Sequence, residues 1–253
     1  MRAAGLDIGS RSIELVILET NGVIRPVSAE RIATTPNVVE DCRRLLAGTS
    51  FDRLVATGYG RTMAEVSFEL PTVTEIRAFA RGAEFALPGC RSVLDIGGQD
   101  TKAIALDGSG KVVRFEMNDR CAAGAGRFLE MMASALGYSI EEFGDAAIAG
   151  SGTVKINSMC AVFAESEVVG LLTRGGKRGD IALAVHEVVA ARASAMLARV
   201  ATEEPVVFAG GAARNACLRG LLERTLGRAV HVPEMPEMLG ALGAALIAMD
   251  GGT

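Results

Sequence analysis

The 253-residue sequence lacks tryptophan, has only two histidines, and contains only 4% aromatic residues. A basic excess is also missing: 26 Lys and Arg face 30 Asp and Glu, and the net charge of −4 argues against a nucleic-acid partner. No apolar run reaches the roughly 18 residues that a membrane span needs. Asp7 stands where a secretory signal would have its apolar region. We therefore expect a cytoplasmic protein with no nucleic-acid or membrane partner.

Glycine and cysteine are well represented, at 30 and five residues. In the cytosol, thiols more often bind metals or pack as small apolar groups than form disulfides. The length suits one large domain or two small ones. Apolar runs typical of strands alternate with helical patterns, and no low-complexity linker interrupts them, which favours an α/β fold.

The apolar pattern predicts the order of the elements. Strands are expected at residues 3–8, 12–18, 53–57, 93–97, 101–106, 205–208 and 230–232, and residues 154–156 are expected to be a strand or a buried edge. Helices are expected at residues 38–46, 74–85, 122–136, 164–172, 180–200, 215–226 and 239–249. Asn21-Gly22 and Gly108-Ser109-Gly110 are turn signals that predict hairpins.

The opening pattern occurs twice. Asp7-Ile8-Gly9 returns as Asp95-Ile96-Gly97, each after an apolar strand, at an offset of 88 residues. This spacing is too long for a solenoid, whose repeats are roughly 20–50 residues. Two copies of one unit indicate a duplicated pair of facing α/β domains. We expect residues 1–88 plus 239–253 in domain I and residues 89–238 in domain II.

Each Asp-Ile-Gly turn combines an acid with glycines, which let backbone amides approach a phosphate closely. The Asp7 and Asp95 carboxylates suit Mg²⁺. One copy alone is typical of a tight structural turn, whereas two facing copies would clamp a triphosphate. The expected phosphate-contacting residues are Gly9, Ser10, Arg11, Ser12, Gly97 and Gly98. Gln99 and Asp100 lie where a water or the γ-phosphate could be oriented, which makes them catalytic candidates beside the two aspartates.

A third glycine element follows the predicted strand 205–208. Gly210, Gly211 and Ala212 precede a helix that opens near Asn215. A strand, a glycine pair and a helix in this order would hold the adenosine side of ATP, with Gly210, Gly211, Ala212 and Asn215 as the expected nucleotide contacts. Together the three elements resemble the superfamily of actin, sugar kinases and chaperone ATPases.

Two cysteine-bearing stretches, residues 118–128 with Cys121 and 157–167 with Cys160, narrow the resemblance further. With residues 57–61 and 95–100, they closely resemble the 2-hydroxyacyl-CoA dehydratase activators, a family that also covers the ATPase subunits of benzoyl-CoA reductase. The resemblance spans essentially the whole chain. It implies two duplicated actin-like (ribonuclease H-like) ATPase domains with ATP in the interdomain cleft.

The resemblance also implies a homodimer with one [4Fe–4S] cluster bound by Cys121 and Cys160 of each subunit. A cubane needs about four thiolates, and a two-fold axis doubles two to four. Gly124 and Gly126 belong to the same stretch and are carried over as cofactor-binding residues. The remaining cysteines, Cys42, Cys90 and Cys217, are expected to be buried packing residues.

The function that follows from the resemblance is ATP-driven, one-electron transfer. Reduced ferredoxin or flavodoxin would load the cluster, and the partner would be an iron–sulfur dehydratase, a reductase or a double-cubane protein. A small-molecule kinase of the same fold and a non-catalytic ATP-dependent scaffold are the alternatives. Sequence alone does not decide whether Tyr59 and Arg61 contact phosphate or a partner.

The sequence departs from the family pattern at three positions. Ala125 and Ala161 stand where activators commonly have threonine, so two hydroxyl donors near the cysteines are missing. Because hydrogen bonds near a cluster tune its potential, these changes bear on the potential or on the partner. Phe79 stands where the family tends to have histidine.

Overall fold

The computed structural model describes residues 1–119, 126–157, 161–201 and 203–252. Over these residues the strands form two sheets, with the orders β3-β2-β1-β4 and β7-β6-β5-β8-β9. The first sheet contains β1 (Arg2–Ile8), β2 (Ser12–Thr20), β3 (Ile24–Ala33) and β4 (Arg53–Thr57). The second contains β5 (Ser92–Ile96), β6 (Thr101–Leu106), β7 (Val112–Asn118), β8 (Val206–Ala209) and β9 (Val230–His231).

The two sheets repeat one pairing scheme. In each, the first strand pairs antiparallel with the second and parallel with a later strand, which is β4 in the first sheet and β8 in the second. The hairpin turns occur where the sequence predicts them, with positive φ angles of 103° at Gly22 and 76° at Gly110. The 88-residue repeat is therefore a repeat of structure.

Helices cover the faces of both sheets. They are α1 (Val38–Leu46), α2 (Arg61–Phe68), α3 (Glu75–Ala86), α4 (Gly126–Ala135), α5 (Ile140–Ile148), α6 (Ala161–Thr173), α7 (Arg178–Val200), α8 (Ala216–Leu226) and α9 (Leu239–Met249). Thr74 caps α3, since its Oγ1 accepts a hydrogen bond from the Arg77 amide. Among the described helices, α7 alone is long and apolar enough to cross a membrane, and it packs largely inside the core of the second lobe.

The chain returns to the first sheet through α9, which packs on β1, β2 and β4 and also contacts α3. The first lobe is the β1–β4 sheet with α1, α2 and α9, and the second lobe is the β5–β9 sheet with the helices packed on it. Where α3 meets α9 the backbones nearly touch: a β-carbon on Gly243 would lie 1.8 Å from the Ala78 carbonyl oxygen, and one on Gly82 would lie 2.4 Å from that of Leu239. Glycine at these positions lets the lobes join through backbone contact.

Three sequence-based expectations need correction. Helix α2 was not predicted, because Ala64 is its one buried residue and it has no apolar periodicity. Helix α5 was also missed, although Ser139 and Glu142 form a capping box at its start. Residues 154–156, expected to be a strand or a buried edge, are not a strand: the segment has no regular secondary structure, and Ile156 enters the core from an irregular chain.

Candidate nucleotide site

Two carboxylates lie at equivalent places in the two sheets. Asp7 is near the end of β1 and Asp95 near the end of β5, and both are almost fully buried, at 7% and 1% exposed. On the neighbouring strands Asp7 faces Glu14, and Asp95 faces Lys102. Glu14 and Lys102 are themselves 88 residues apart, so the repeat places opposite charges at matching positions.

Lys102 is the centre of a buried charge cluster. Its Nζ lies 3.0 Å from Asp95 Oδ2, 2.7 Å from Asp100 Oδ2 and 3.8 Å from Glu75 Oε1. Burial alone would lower the pKa of Lys102, but these three carboxylates outweigh it and hold the pKa above its ordinary value. Lys102 therefore stays an ammonium ion and fixes the side chains of Asp95 and Asp100.

Sequence reasoning missed Lys102, although the strand pattern contained a signal. Along β6, Lys102 lies on the same face as Ile104 and Leu106, which are core residues. A lone cation on the apolar side of a strand indicates buried acidic partners. The same placement gives Phe79 a role, because Lys102 Nζ lies 5.1 Å from the centre of its ring, within the range of a cation–π contact.

The site holds more negative than positive charge. Burial raises the pKa of Asp7 well above its ordinary value, and Glu14, Glu75 and Asp95 raise it further against the opposing effect of Lys102. Burial also raises the pKa of Asp95 and of Glu75. A buried excess of carboxylates is relieved by a bound cation or by protonation.

The carboxylates suit a magnesium ion that keeps water and phosphate ligands. Asp95 Oδ1 is buried and has no hydrogen-bond partner among the described residues. Mg²⁺ is commonly held by one or two carboxylates together with substrate phosphates. Within the described ranges no three His, Cys, Asp or Glu side chains are grouped so that they could hold a metal by themselves. Asp7 and Asp95 thus fit Mg²⁺ that arrives with a nucleotide.

Glycines enclose each carboxylate. A β-carbon at Gly58, whose φ is 94°, would lie 2.4 Å from Asp7 Oδ1, and one at Gly210, whose φ is 83°, would lie 2.5 Å from Asp95 Oδ1. Gly240 at the start of α9 approaches the other oxygen of Asp7, at 2.0 Å for a β-carbon. No larger residue fits at these three positions without displacing an aspartate.

The two predicted phosphate loops have the same turn. The Gly9 amide donates to the Ser12 carbonyl, and the Gly97 amide donates to the Asp100 carbonyl, both at 3.0 Å. The structure brings all the predicted residues of these loops into the two turns: Gly9, Ser10, Arg11, Ser12, Gly97, Gly98, Gln99 and Asp100. Gln99 is exposed, whereas Asp100 is held by Lys102.

Helix α4 is attached to both loops. The amides of Gly126 and Arg127 donate to the carbonyls of Gly97 and Gly98 at 2.8 Å each. From the first loop, Arg11 Nη2 lies 2.7 Å from Glu130 Oε1. Gly126, predicted to bind the cofactor, is thus the first residue of α4 and is tied to the second loop.

The third glycine element follows β8. After Gly210, residues Gly211–Arg214 form a 3₁₀ helix that includes Ala212, and Asn215 caps α8. Asn215 Oδ1 accepts from the Leu218 amide at 3.0 Å, and its Nδ2 donates to His186 Nε2 at 2.9 Å. Asn215, predicted to contact the nucleotide, therefore has its amide engaged within the protein and holds the loop in place.

A model of the BadF/BadG/BcrA/BcrD ATPase family matches residues 4–248. The chain belongs to this ATPase family. An activator of lactoyl-CoA dehydratase from Anaerotignum propionicum is 39% identical over 256 residues, which cover 99% of this chain and 98% of the relative. The solved structure of the activator of the 2-hydroxyisocaproyl-CoA dehydratase from Clostridium difficile, with bound ADPNP, is 38% identical and superposes with a TM-score of 0.89 over 99% of this chain and 95% of that one.

A more distant structure extends the likeness of fold. A ROK family glucokinase from Streptomyces griseus, solved with glucose and AMPPNP, is 17% identical and has a TM-score of 0.64 over 99% of this chain and 100% of that one. At that identity the match shows the fold alone. The expected actin-like architecture of two duplicated α/β units is confirmed by these neighbours.

In this member of the ATPase family, the cysteines divide into two groups. Cys42, Cys90 and Cys217 are free and buried, as expected for packing residues. Burial raises the pKa of their thiols to about 11, about 12 and about 11, so they stay protonated. Cys121 and Cys160, with Gly124, lie outside the described residues.

Beside Glu75, at the edge of the charge cluster, a groove of about 970 Å³ opens between the lobes. Its walls include Tyr59, Arg61 and Arg77. Tyr59 is 78% exposed, and Arg61 Nη1 lies 3.4 Å from the Gly58 carbonyl. Both residues therefore face the groove beside the carboxylates.

Proposed function

We propose that this ATPase-family protein is an activator that uses ATP to deliver single electrons to a partner iron–sulfur enzyme. In this proposal residues 1–88 plus 239–253 form domain I and residues 89–238 form domain II. Helix α3 falls within the domain I range along the chain, but it packs on the second sheet and so belongs to the second lobe. The observation that carries it is the attachment of α4, which directly follows the Cys121 segment, to both phosphate loops. Nucleotide binding and the cysteine segment then share one mechanical connection.

ATP with Mg²⁺ would bind between the two loops. Asp7 and Asp95 would hold the ion, directly or through water, and the ion would supply positive charge to the phosphates. Lys102 keeps Asp95 and Asp100 in place, so Asp95 Oδ1, which has no hydrogen-bond partner within the part of the chain that the structure describes, remains available to the ion. Gln99 or Asp100 would orient the attacking water. The backbone of Gly210, Gly211 and Ala212 would hold the adenosine side.

A [4Fe–4S] cluster shared by two subunits is the redox group of the proposal, with Cys121 and Cys160 of each chain as its ligands. The cluster would supply one-electron chemistry. Residues 120–125 directly precede α4, residues 158–160 directly precede α6, and the two helices contact each other. A helix N-terminus favours thiolate and negative charge. Two cysteines per chain account for four ligands only in a homodimer.

Exposed apolar residues on α6 support a second subunit at this end of the molecule. Val162, Phe163 and Val169 are 64%, 68% and 51% exposed, respectively. Reduced ferredoxin or flavodoxin would be the electron donor. An iron–sulfur dehydratase, a reductase or a double-cubane protein would be the acceptor; the names of the two activator relatives support a dehydratase.

Anaerobic iron analysis tests the proposal. Purified without oxygen, the protein should contain about two irons per chain, which is half a cubane. Cys121→Ala and Cys160→Ala should each lose the iron, and Cys42→Ala is the matched control that should keep it. Asp95→Asn should suppress ATP hydrolysis and keep the iron. An iron-free wild type would refute the cluster, and iron retained in either cysteine variant would place its ligands elsewhere.

One observation favours a second candidate, a small-molecule kinase of the same fold. The groove beside Glu75 has room for an acceptor molecule next to the carboxylate cluster. In that case ATP consumption would depend stoichiometrically on an added acceptor and would not require iron. Acceptor-independent hydrolysis by the iron-containing protein favours the activator.

A further inference from the structure

Glu130 on α4 joins the two lobes through an ion pair with Arg11. Its Oε1 lies 2.7 Å from Arg11 Nη2, and its Oε2 lies 3.1 Å from Arg127 Nη1. Arg11 belongs to the first phosphate loop, 119 residues earlier in the chain. The carboxylate of Glu130 is therefore a direct link from the first loop to the helix that follows Cys121.

Arg11 crosses the space between the two phosphate loops. Its stem packs on Gly98, where a β-carbon would lie 2.3 Å from Arg11 Cγ. The Arg11 side chain is close to half exposed, with 46% of it accessible. A cation on the first loop that reaches over the second loop can meet a phosphate placed between them.

We propose that Glu130 is a positioning residue that competes with nucleotide phosphate for Arg11, so that nucleotide binding releases α4 from the first lobe. The inference rests on the proposed function only for the position of the nucleotide between the two loops. Arginine pairs with phosphate through strong, charge-assisted hydrogen bonds. A partly exposed carboxylate–arginine pair is weak, so it can be exchanged for the phosphate.

The remaining bonds define what the exchange would move. The amides of Gly126 and Arg127 keep α4 attached to the second loop. Once Arg11 turns to phosphate, α4 stays with the second lobe and loses its ion pair to the first. A ligand shifts such an equilibrium only through its different affinity for the two states, and Arg11 supplies that difference.

Binding of ADPNP to variants tests the competition. Glu130→Gln removes the competitor, so affinity for ADPNP should rise about two- to fivefold, the range set by an exposed ion pair. Arg11→Gln should weaken binding, and in that background Glu130→Gln should have no effect. Glu116→Gln is the matched control, since Glu116 forms an exposed pair with Arg199 within the second lobe. The proposal would be overturned if Glu130→Gln left the affinity for ADPNP unchanged or lowered it. It would also be overturned if Glu130→Gln raised the affinity equally in the Arg11→Gln background.

A fluorescent reporter tests the release of α4. Because the chain has no tryptophan, Ser134→Trp at an exposed position of α4 gives a single emitter. ADPNP should shift its emission, and adding Glu130→Gln should produce part of that shift without nucleotide. An emission that Glu130→Gln leaves unchanged would contradict the release. The binding and fluorescence measurements require no iron and no partner protein. Their outcome is therefore independent of the iron analysis that tests the proposed electron transfer.

Discussion

At the scale of single residues, the charge cluster around Lys102 is the most consequential feature. One ammonium ion, whose side chain is 3% exposed, faces three carboxylates that are 1% to 19% exposed. Buried charges are tolerated when they are paired, and removing one partner leaves the others uncompensated. The cluster therefore couples the stability of the fold to the geometry of the two aspartates.

Lys102→Met should lower the free energy of unfolding by about 3–5 kcal/mol, because Asp95 and Asp100 lose their buried cation. Lys155→Met makes the same chemical change at an exposed position and should alter stability by less than about 0.5 kcal/mol. Urea unfolding of both variants at neutral pH measures the difference. Equal stability of the two would mean that Lys102 does not compensate the acids.

Glu14 makes the stability of the fold depend on pH. Burial raises its pKa from 4.5 to about 7, although Ser12 and Arg31 oppose the rise. The folded state binds this proton more tightly than the unfolded state, so the stability from Glu14 is present below about pH 4.5 and is lost as the pH rises through about 7.

Glu14→Gln removes this titration. At pH 8 the nucleotide-free variant should be more stable than the wild type by up to about 3 kcal/mol, since one pKa unit corresponds to about 1.36 kcal/mol. The gain should vanish near pH 4.5, and exposed Glu65→Gln should show no such trend. Thermal unfolding across this pH range measures the difference. Parallel curves of stability against pH for the wild type and Glu14→Gln would contradict the raised pKa of Glu14.

At the scale of secondary structure, sequence patterns predicted the elements that have strong local signals. Both hairpin turns, α1, β4 and α9 agree with the apolar pattern and the turn residues. Helix α2 was missed because it buries only Ala64 and so shows no apolar periodicity. Asp7, Asp95 and the glycine loops were predicted because each stands at a repeated strand end.

The parts of the site that sequence reasoning missed depend on contacts between distant segments. The ion pair of Arg11 with Glu130 and the bond of Asn215 to His186 join residues that share no local pattern. Lys102 had a visible signal, but its three partners come from separate elements. Cys121 and Cys160 were identified through family resemblance and lie outside the described residues.

The contact of α3 with α9 yields a prediction at this scale. Gly243→Ala should destabilise the protein by about 1–3 kcal/mol or more, because its β-carbon would meet the Ala78 carbonyl and helices packed this closely must separate. Gly220→Ala is the control: it lies on α8 with open space around it and should stabilise by about 0.5–1 kcal/mol. Chemical denaturation of the pair should give changes of opposite sign.

At the scale of the whole molecule, the exposed apolar face of α6 predicts assembly. Phe163→Glu should convert the proposed anaerobic dimer into monomers, because a charge would be buried between subunits. Val23→Glu makes a similar change at a residue that is 72% exposed on the first lobe and should leave the dimer intact. Light scattering after size-exclusion chromatography reports the mass, and a dimer that survives Phe163→Glu would place the interface elsewhere.

The bare backbone contact between α3 and α9 also determines how the lobes can move. Helices that interlock through long side chains must change rotamers before they slide, and each such change adds a barrier. Where Gly243 meets Ala78 the two backbones touch with no long side chain between them, whereas Leu239 packs against Gly82 and Phe79 packs against Gly240. A small shear of α9 along α3 therefore repacks the side chains of Leu239 and Phe79 at this crossing, and such sliding is one of the two common ways in which domains close around a ligand.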